Sequence, residues 1–488
     1  MMISRALVCG AVVFAMTGAA RAESKQKGAV AEKVAITTSS EEARQLYLKA
    51  RDLNEKLRGT DANALFTQAA AKDGNFALAY LGMAQSSGGT KEFFDDLAKA
   101  MAVLDKVTPG EQLLVKIADA GAKADPVKQK QYLDQLVKAF PNDERVHNLM
   151  GAYFFGRADY QHAIASYEKA IAINAKFTQP YNQLGYAYRF SDKMADAERT
   201  FQKYIELIPD DPNPYDSYAE LLMEEGKFDE SIKSYEKALK VDPHFVASYV
   251  GIANDQMFQG KGAEARATLV KLTQAARNDG ERRQALLWTA MAYAHEAAWD
   301  KALAELDKMA AIASAAHDLG SVAGDNNLIA TVLLEAGRPD DALAKFKAQV
   351  EVNDKSDSPA AAKEFTHRNF IFDEGWVAIV KHDVAGAKAK AAAYAKAISK
   401  DRPFEVRQLH ELQGMIALEE KRYAAAVTEF AQANPRDPRI YYLTALAYQG
   451  AGDAKAAKAS AKKSADFNSH ALNYAFVRGK AKALLGAK

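Results

Sequence analysis

The side chains that begin chemistry in other proteins are present here, but not at the spacing that chemistry needs. His295-Glu296 opens like a zinc-binding HExxH, yet no second His follows four residues on, where a helix would bring it to the same face. The nine His are scattered, and the one Cys, Cys9, lies close to the start. There is no GxSxG elbow and no glycine-rich phosphate loop. Acidic pairs read as structural: Asp210-Asp211, in the turn DDPNP, caps the next helix, and Glu224-Glu225 is a solvated helix end. His147 reads as a packed residue on a core aromatic position. No catalytic residue, cofactor or metal is therefore expected.

A different chemistry is regularly spaced. Counting from Glu144, Thr178 and Pro212, the fifth positions hold Asn148, Asn182 and Asp216, 34 residues apart. An Asn offers a donor and an acceptor together, so a row of them can hold an extended backbone without reading its side chains. Gln179, Tyr186, Arg189, Glu220 and Asn254 fall on neighbouring inward positions. These eight are the expected partner-binding residues. Trp288 and Trp376 either share that face, where a ring can stack a sugar or anchor a peptide, or are buried between helices.

The elements that hold such a row repeat with it. Gly151, Gly185, Ala219 and Ala253 are 34 residues apart, as are Ala163, Ala197, Ser231 and Ala265, and Tyr167, Phe201, Tyr235 and Leu269. Pro141, Pro209 and Pro243 share one phase. Small residues recur where helices approach closely, large ones where a gap must be filled. Within one unit the period is helical: Tyr181, Leu184, Gly185 and Tyr188 form one face of a first helix, and Ala197, Phe201, Tyr204 and Ile208 line a second. Ser191-Asp192 marks the break and an N-cap, Gly226 the same turn one unit later, and Pro209 the end.

The stretch YNQLGYAY…ADAERTFQKYIELIP resembles the tetratricopeptide repeat (TPR), whose pattern runs aromatic-x2-L-G-x2-Y…A-x3-F…P. The resemblance implies an all-α fold, a right-handed superhelical solenoid of tandem helix pairs, with a concave face lined by first helices. It also implies a protein or peptide partner in that groove, and the row at Asn148 and Asn182 resembles the asparagine ladder of some TPR superhelices. The carboxylate clamp of chaperone-binding TPR domains, Lys at the fifth and Asn at the ninth position, is not matched by Asn148 and Ala152, by Asn182 and Tyr186, or by Glu411 and Met415. The expected organisation is a signal peptide at 1–22, a flexible lead-in at 23–42, degenerate helical repeats at 43–142 and a regular array at 143–279. Degenerate repeats at 280–357, C-terminal TPR-like repeats at 358–471 and a solvated capping helix at 472–488 follow, with a loop from Asn353 to Pro359 dividing the array.

Composition fits a folded chain: of 488 residues 49% are hydrophobic and 26% charged, with only 28 Gly and 13 Pro, which excludes disordered and collagen-like classes. A net charge of +1 argues against nucleic-acid binding by overall charge. Met1–Arg5, the uncharged run to Ala20 and Ala20-Arg21-Ala22 have the layout of a secretory signal cleaved near Ala22, and no later run is long enough for a membrane helix. Val8 before Cys9, with so little chain upstream, does not make a lipidation site. The expectation is an exported scaffold, periplasmic or secreted, that holds an extended segment of a partner protein for a cell-envelope process. The alternative is a binder of envelope glycan or another small ligand. An enzyme would have to rest on the irregular flanks at 43–142 and 358–406, and oligomeric state has no sequence signal.

Overall fold

A computed structural model describes residues 33–123, 125–400 and 402–486. The expected signal peptide lies outside them. Among the described residues the chain forms twelve consecutive helix pairs and one last helix, Tyr474–Gly486, with no strand. The regular array comprises Glu144–Phe155 with Tyr160–Ile173, Gln179–Phe190 with Met194–Leu207, Pro212–Glu224 with Phe228–Val241, and Val246–Phe258 with Gly262–Ala275. Three pairs precede it and five follow. No helix among the described residues is long and apolar enough to cross a membrane.

The periodic residues do the packing that their types dictate. Ala163, Ala197, Ser231 and Ala265 are fully buried, and so are Tyr167, Phe201, Tyr235 and Leu269 to within 1%. Burying each of these large side chains contributes about 2 kcal/mol. A Cβ added at Gly151 would stand 2.4 Å from the Tyr167 ring, and one at Gly185 2.5 Å from that of Phe201. Glycine is therefore required there by contact, not by backbone angle. The turn before each first helix is pinned in the same rhythm: the hydroxyls of Tyr181, Tyr215, Tyr249 and Tyr441 donate to the carbonyls of Ala175, Pro209, Pro243 and Pro435, six residues back. His147 takes this position in its repeat, with Nε2 2.8 Å from the Pro141 carbonyl. It is a turn latch at the surface, not the packed residue its phase suggests.

The turn inside each pair also keeps the period. Ala158, Asp192, Gly226 and Gly260 all have positive φ, between 58° and 80°. Asp192 is thus the left-handed residue that ends a first helix, and Ser191 bonds back to the Ala187 carbonyl, so neither caps the following helix. Asp211 does cap, accepting from the Asn213 backbone N–H at 3.1 Å. A left-handed non-glycine residue costs about 1–2 kcal/mol, partly offset by the entropy glycine loses on folding. Ala158→Gly should therefore raise the urea midpoint by the equivalent of about 0.5–1 kcal/mol; an unchanged or lowered midpoint would contradict this.

Successive first helices of the regular array pack directly on one another and second helices hardly touch, so the stack curves toward the first helices. The curvature is enough to bring distant parts of the chain together. Residues 33–40 do not float: they run along the turns between early pairs, donating to a row of acidic residues. Lys33 pairs with Glu144 at 2.8 Å, the Val34 N–H with Asp143 at 2.9 Å, Thr37 with Glu111 at 2.6 Å, and Thr38 and Ser39 with Asp73 at 2.6 Å. Burial alone would raise the Asp73 carboxyl, but those bonds outweigh it and hold the group at about 2. The first pair then crosses the turns of the array, through Arg145–Glu55 at 2.7 Å, Arg58–Asp242 at 3.3 Å and Arg277–Asp61 at 2.8 Å.

At the other end, the helix expected to be a solvated cap is tucked inside. Tyr474, Ala475, Phe476, Val477, Arg478 and Ala481 are buried, against Asp279–His295 and Pro438–Gly450. The divider expected at Asn353–Pro359 is shorter, because the helix Pro339–Lys355 includes Asn353, and Ala360–Val380 packs directly on it.

Candidate partner-binding face

The inner curve is built from the first helices of the regular array, and the eight residues picked by spacing all belong to those helices. Asn148, Asn182, Arg189, Asp216 and Asn254 are buried; Gln179, Tyr186 and Glu220 are half-buried. The row works as rungs between neighbouring helices. Asn148 Nδ2 donates to Gln179 Oε1 at 2.9 Å, Ser217 donates to Asn182 at 2.8 Å, and Ser248 donates to Asp216 at 2.7 Å. Each fifth position thus bonds the following repeat, which fixes the angle between them.

Further along the same helices the face becomes charged. Arg189 is only 3% exposed; Nη1 donates to Glu220 at 2.9 Å and Nε to Glu224. Its guanidinium also lies 5.5 Å from the Tyr186 ring centre and 5.4 Å from that of Phe190. Burial pushes the Tyr186 hydroxyl well up, reinforced by Glu220 and Asp216. Glu220 is held below its usual range despite burial, because His470 and Arg189 favour its charge. Glu224, expected as a solvated helix end, is instead shared between Arg189 and Arg436, the latter at 3.5 Å.

Spacing did not reveal what lies over this face. Residues 466–473 run without helix across the ends of the first helices and lead into Tyr474–Gly486. Asn468 Nδ2 donates to the Glu224 carbonyl at 3.4 Å, His470 stands 3.9 Å from Glu220, and the Tyr474 hydroxyl donates to Asn254 at 2.7 Å. Arg439 and Lys480 both reach Glu335, each at 2.9 Å. The two tryptophans are covered in the same way: Trp288 is buried edge-on to His470, and the Arg439 guanidinium lies 4.1 Å over the Trp376 ring. A signal for this was available. From Arg436 to Lys488 there are ten Lys or Arg against three Asp, and that basic stretch contains the apolar run Tyr474-Ala475-Phe476-Val477. Such a run belongs in a core, and its charges need acidic partners.

Parts of the chain are similar to known proteins. Residues 178–211 and 222–287 match tetratricopeptide repeat profiles. The mitochondrial import receptor subunit TOM70 of Saccharomyces cerevisiae is 28% identical over 160 residues, 33% of this chain and 25% of that protein. The match thus spans about a quarter of the length of that relative. Among solved structures, a tetratricopeptide repeat protein from Parabacteroides merdae overlays 56% of this chain and 94% of its own at 14% identity and a TM-score of 0.36. MamA from Desulfovibrio magneticus overlays 34% and 94% at 14% identity and a TM-score of 0.29. TPR repeats are scaffolds for protein–protein interaction. With a 34-residue period, paired helices in one curved stack and matched repeats at 178–211 and 222–287, the chain carries tetratricopeptide repeats.

Proposed function

We propose that the protein is an exported scaffold of the cell envelope, periplasmic or secreted after loss of residues 1–22, that holds an extended segment of a partner protein on the inner curve of its regular array. One observation carries the groove reading. The face already grips a stretch of non-helical chain, its own residues 466–473, through Glu220, the Glu224 carbonyl and, at the following Tyr474, Asn254. A surface that satisfies one such segment has the donors, acceptors and width for another. Hydrogen bonds between repeats hold the array together before the partner arrives, so little ordering cost is left to binding. Export is supported by the n-region, apolar run and A-x-A layout at the start of the sequence.

Two measurements test the two halves. A photo-crosslinking residue at Tyr186, on the inner curve, should capture a second protein in envelope preparations, whereas one at Lys169, exposed on an outer helix, should not. Capture from Lys169 alone would move the interface to the convex face. Mass spectrometry of the purified native protein should find an N-terminus at Glu23. A chain still beginning at Met1 would overturn export and leave the scaffold reading intact.

A further inference from the structure

We propose that residues 466–480 are a displaceable resident of the groove, and that the partner enters by replacing them with a segment of like chemistry: extended, cation-bearing, with one aromatic anchor. The inference rests on the groove reading above and adds to it the chemical class of the occupant.

Charge is the first argument. Glu220, Glu224 and Glu335 lie near the C-terminal ends of their helices, where the helix dipole disfavours an acid. Arg189 already serves Glu220 and Glu224, and the closing segment and its flank add Arg436 at Glu224 and both Arg439 and Lys480 at Glu335; His470, whose charge burial disfavours, stands 3.9 Å from Glu220. Displacing the segment removes Lys480 and leaves Glu335 with Arg439 alone, so that end of the groove favours a cationic occupant over an acidic one. Shape is the second argument. The anchor is Tyr474, fully buried, edge-on to Phe258 with ring centres 4.9 Å apart and bonded to Asn254. Aromatic side chains that fill a pocket and carry one polar handle are the usual anchors of an interface. Ahead of it the backbone from 466 to 473 is irregular, the form in which a foreign segment would lie.

The seam also holds buried polar atoms that its closure leaves unmatched. Arg439 Nε, Arg478 Nε, His295 Nδ1 and His470 Nε2 are buried there without a hydrogen-bond partner among the described residues. A buried polar group left unpaired works against the closed form, and opening returns it to water. The tethered segment holds its place largely because its linkage keeps its local concentration high. A partner therefore needs either a better-matched segment or a second contact elsewhere.

The test uses the full chain and a labelled synthetic peptide with the sequence of residues 464–482. Against wild-type chain the peptide should bind weakly, because the tethered copy competes. Against Tyr474→Ala chain, whose own anchor is lost, it should bind at least about tenfold more tightly. Adding Asn254→Ala and Glu335→Gln to that chain should remove the gain. Equal binding to wild-type and Tyr474→Ala chain, with helicity intact, would overturn the inference. So would a doubled mass for Tyr474→Ala, which would assign the groove to a second copy. If that variant does not fold, amide exchange in wild-type chain decides: Tyr474–Gly486 should exchange about tenfold or more faster than Val246–Phe258, and a single common rate overturns displacement. Failure here with capture at Tyr186 retained would remove only this inference and leave the scaffold standing.

Discussion

Arg189→Ala should lower the stability of the regular array by about 3–5 kcal/mol, the usual cost of removing one partner from a buried ion pair. The side chain is 3% exposed and its guanidinium is the shared counterion of Glu220 and Glu224. Its loss leaves two carboxylates at the ends of the first helices, with Arg436 3.5 Å from Glu224 and, 3.9 Å from Glu220, only His470, whose charge burial disfavours. Arg189→Lys should recover only part of the loss, since a single ammonium cannot reproduce the planar fork that reaches both acids. The measurement is the urea midpoint together with amide exchange across Gln179–Phe190 and Pro212–Glu224. A change within about 0.5 kcal/mol would show that the pair is no better than a surface ion pair. The result also bears on binding experiments. Asn148, Asn182 and Arg189 are natural choices for a groove mutant, yet all three hold one repeat against the next. Loss of a partner from a triple alanine variant would thus report a loosened array as readily as a lost contact. A probe placed at Tyr186 avoids that ambiguity.

What could be read from the chain, and what could not, divides by the range of the contacts. The period, the helix pairs and the positions of Ala163, Phe201 or Tyr235 follow from contacts within a repeat or to its neighbour, and these leave a signal every 34 residues. The inward row was found for the same reason, although its residues turn out to bond the adjacent repeat. The closure of the solenoid is different. It depends on small rotations added over many repeats until Arg436 meets Glu224 and Arg58 meets Asp242. No local pattern encodes that sum, so Glu224 reads as solvated, Tyr474–Gly486 as an exposed cap and residues 33–40 as a loose lead-in. His147 and Asp192 were misread for a smaller reason. Each sits at a position whose common residue types, an aromatic latch and a left-handed glycine, have been substituted while the geometry stayed.

Asp255→Asn should make the protein less sensitive to alkaline pH. Asp255 is fully buried on Val246–Phe258, and neither carboxylate oxygen has a hydrogen-bond partner among the described residues. Ser231, on the facing helix, spends its hydroxyl on the Ala219 carbonyl at 2.8 Å. Burial pushes the Asp255 carboxyl from 3.8 up to about 8. The folded chain therefore holds a proton that the unfolded chain gives up near pH 4. The stability this confers is complete below that pH and drains away as pH rises toward 8. One such proton changes stability by about 1.4 kcal/mol per pH unit, so the full window amounts to something on the order of 5 kcal/mol. Glu411 adds to the trend, raised to about 7 by burial and Asp437 against the pull of Arg439, and burial raises Asp216 and Asp373 well above the ordinary range. His295 works the other way. Burial, then Arg478 and Lys482, lowers it to about 4, so its contribution is present above pH 6.5 and is lost as pH falls toward 4. Between about pH 6.5 and about pH 8 the acids act almost alone, and wild-type stability should fall. In Asp255→Asn one proton's share, about 2 kcal/mol over that interval, should be gone from the difference. Because a solenoid need not unfold in one step, the comparison belongs on the transition that includes Val246–Phe258, followed by amide exchange corrected for its intrinsic pH dependence. If the wild type and the variant lose stability in parallel over that interval, the buried carboxyl is already charged at neutral pH and must have found a partner that the folded geometry does not supply.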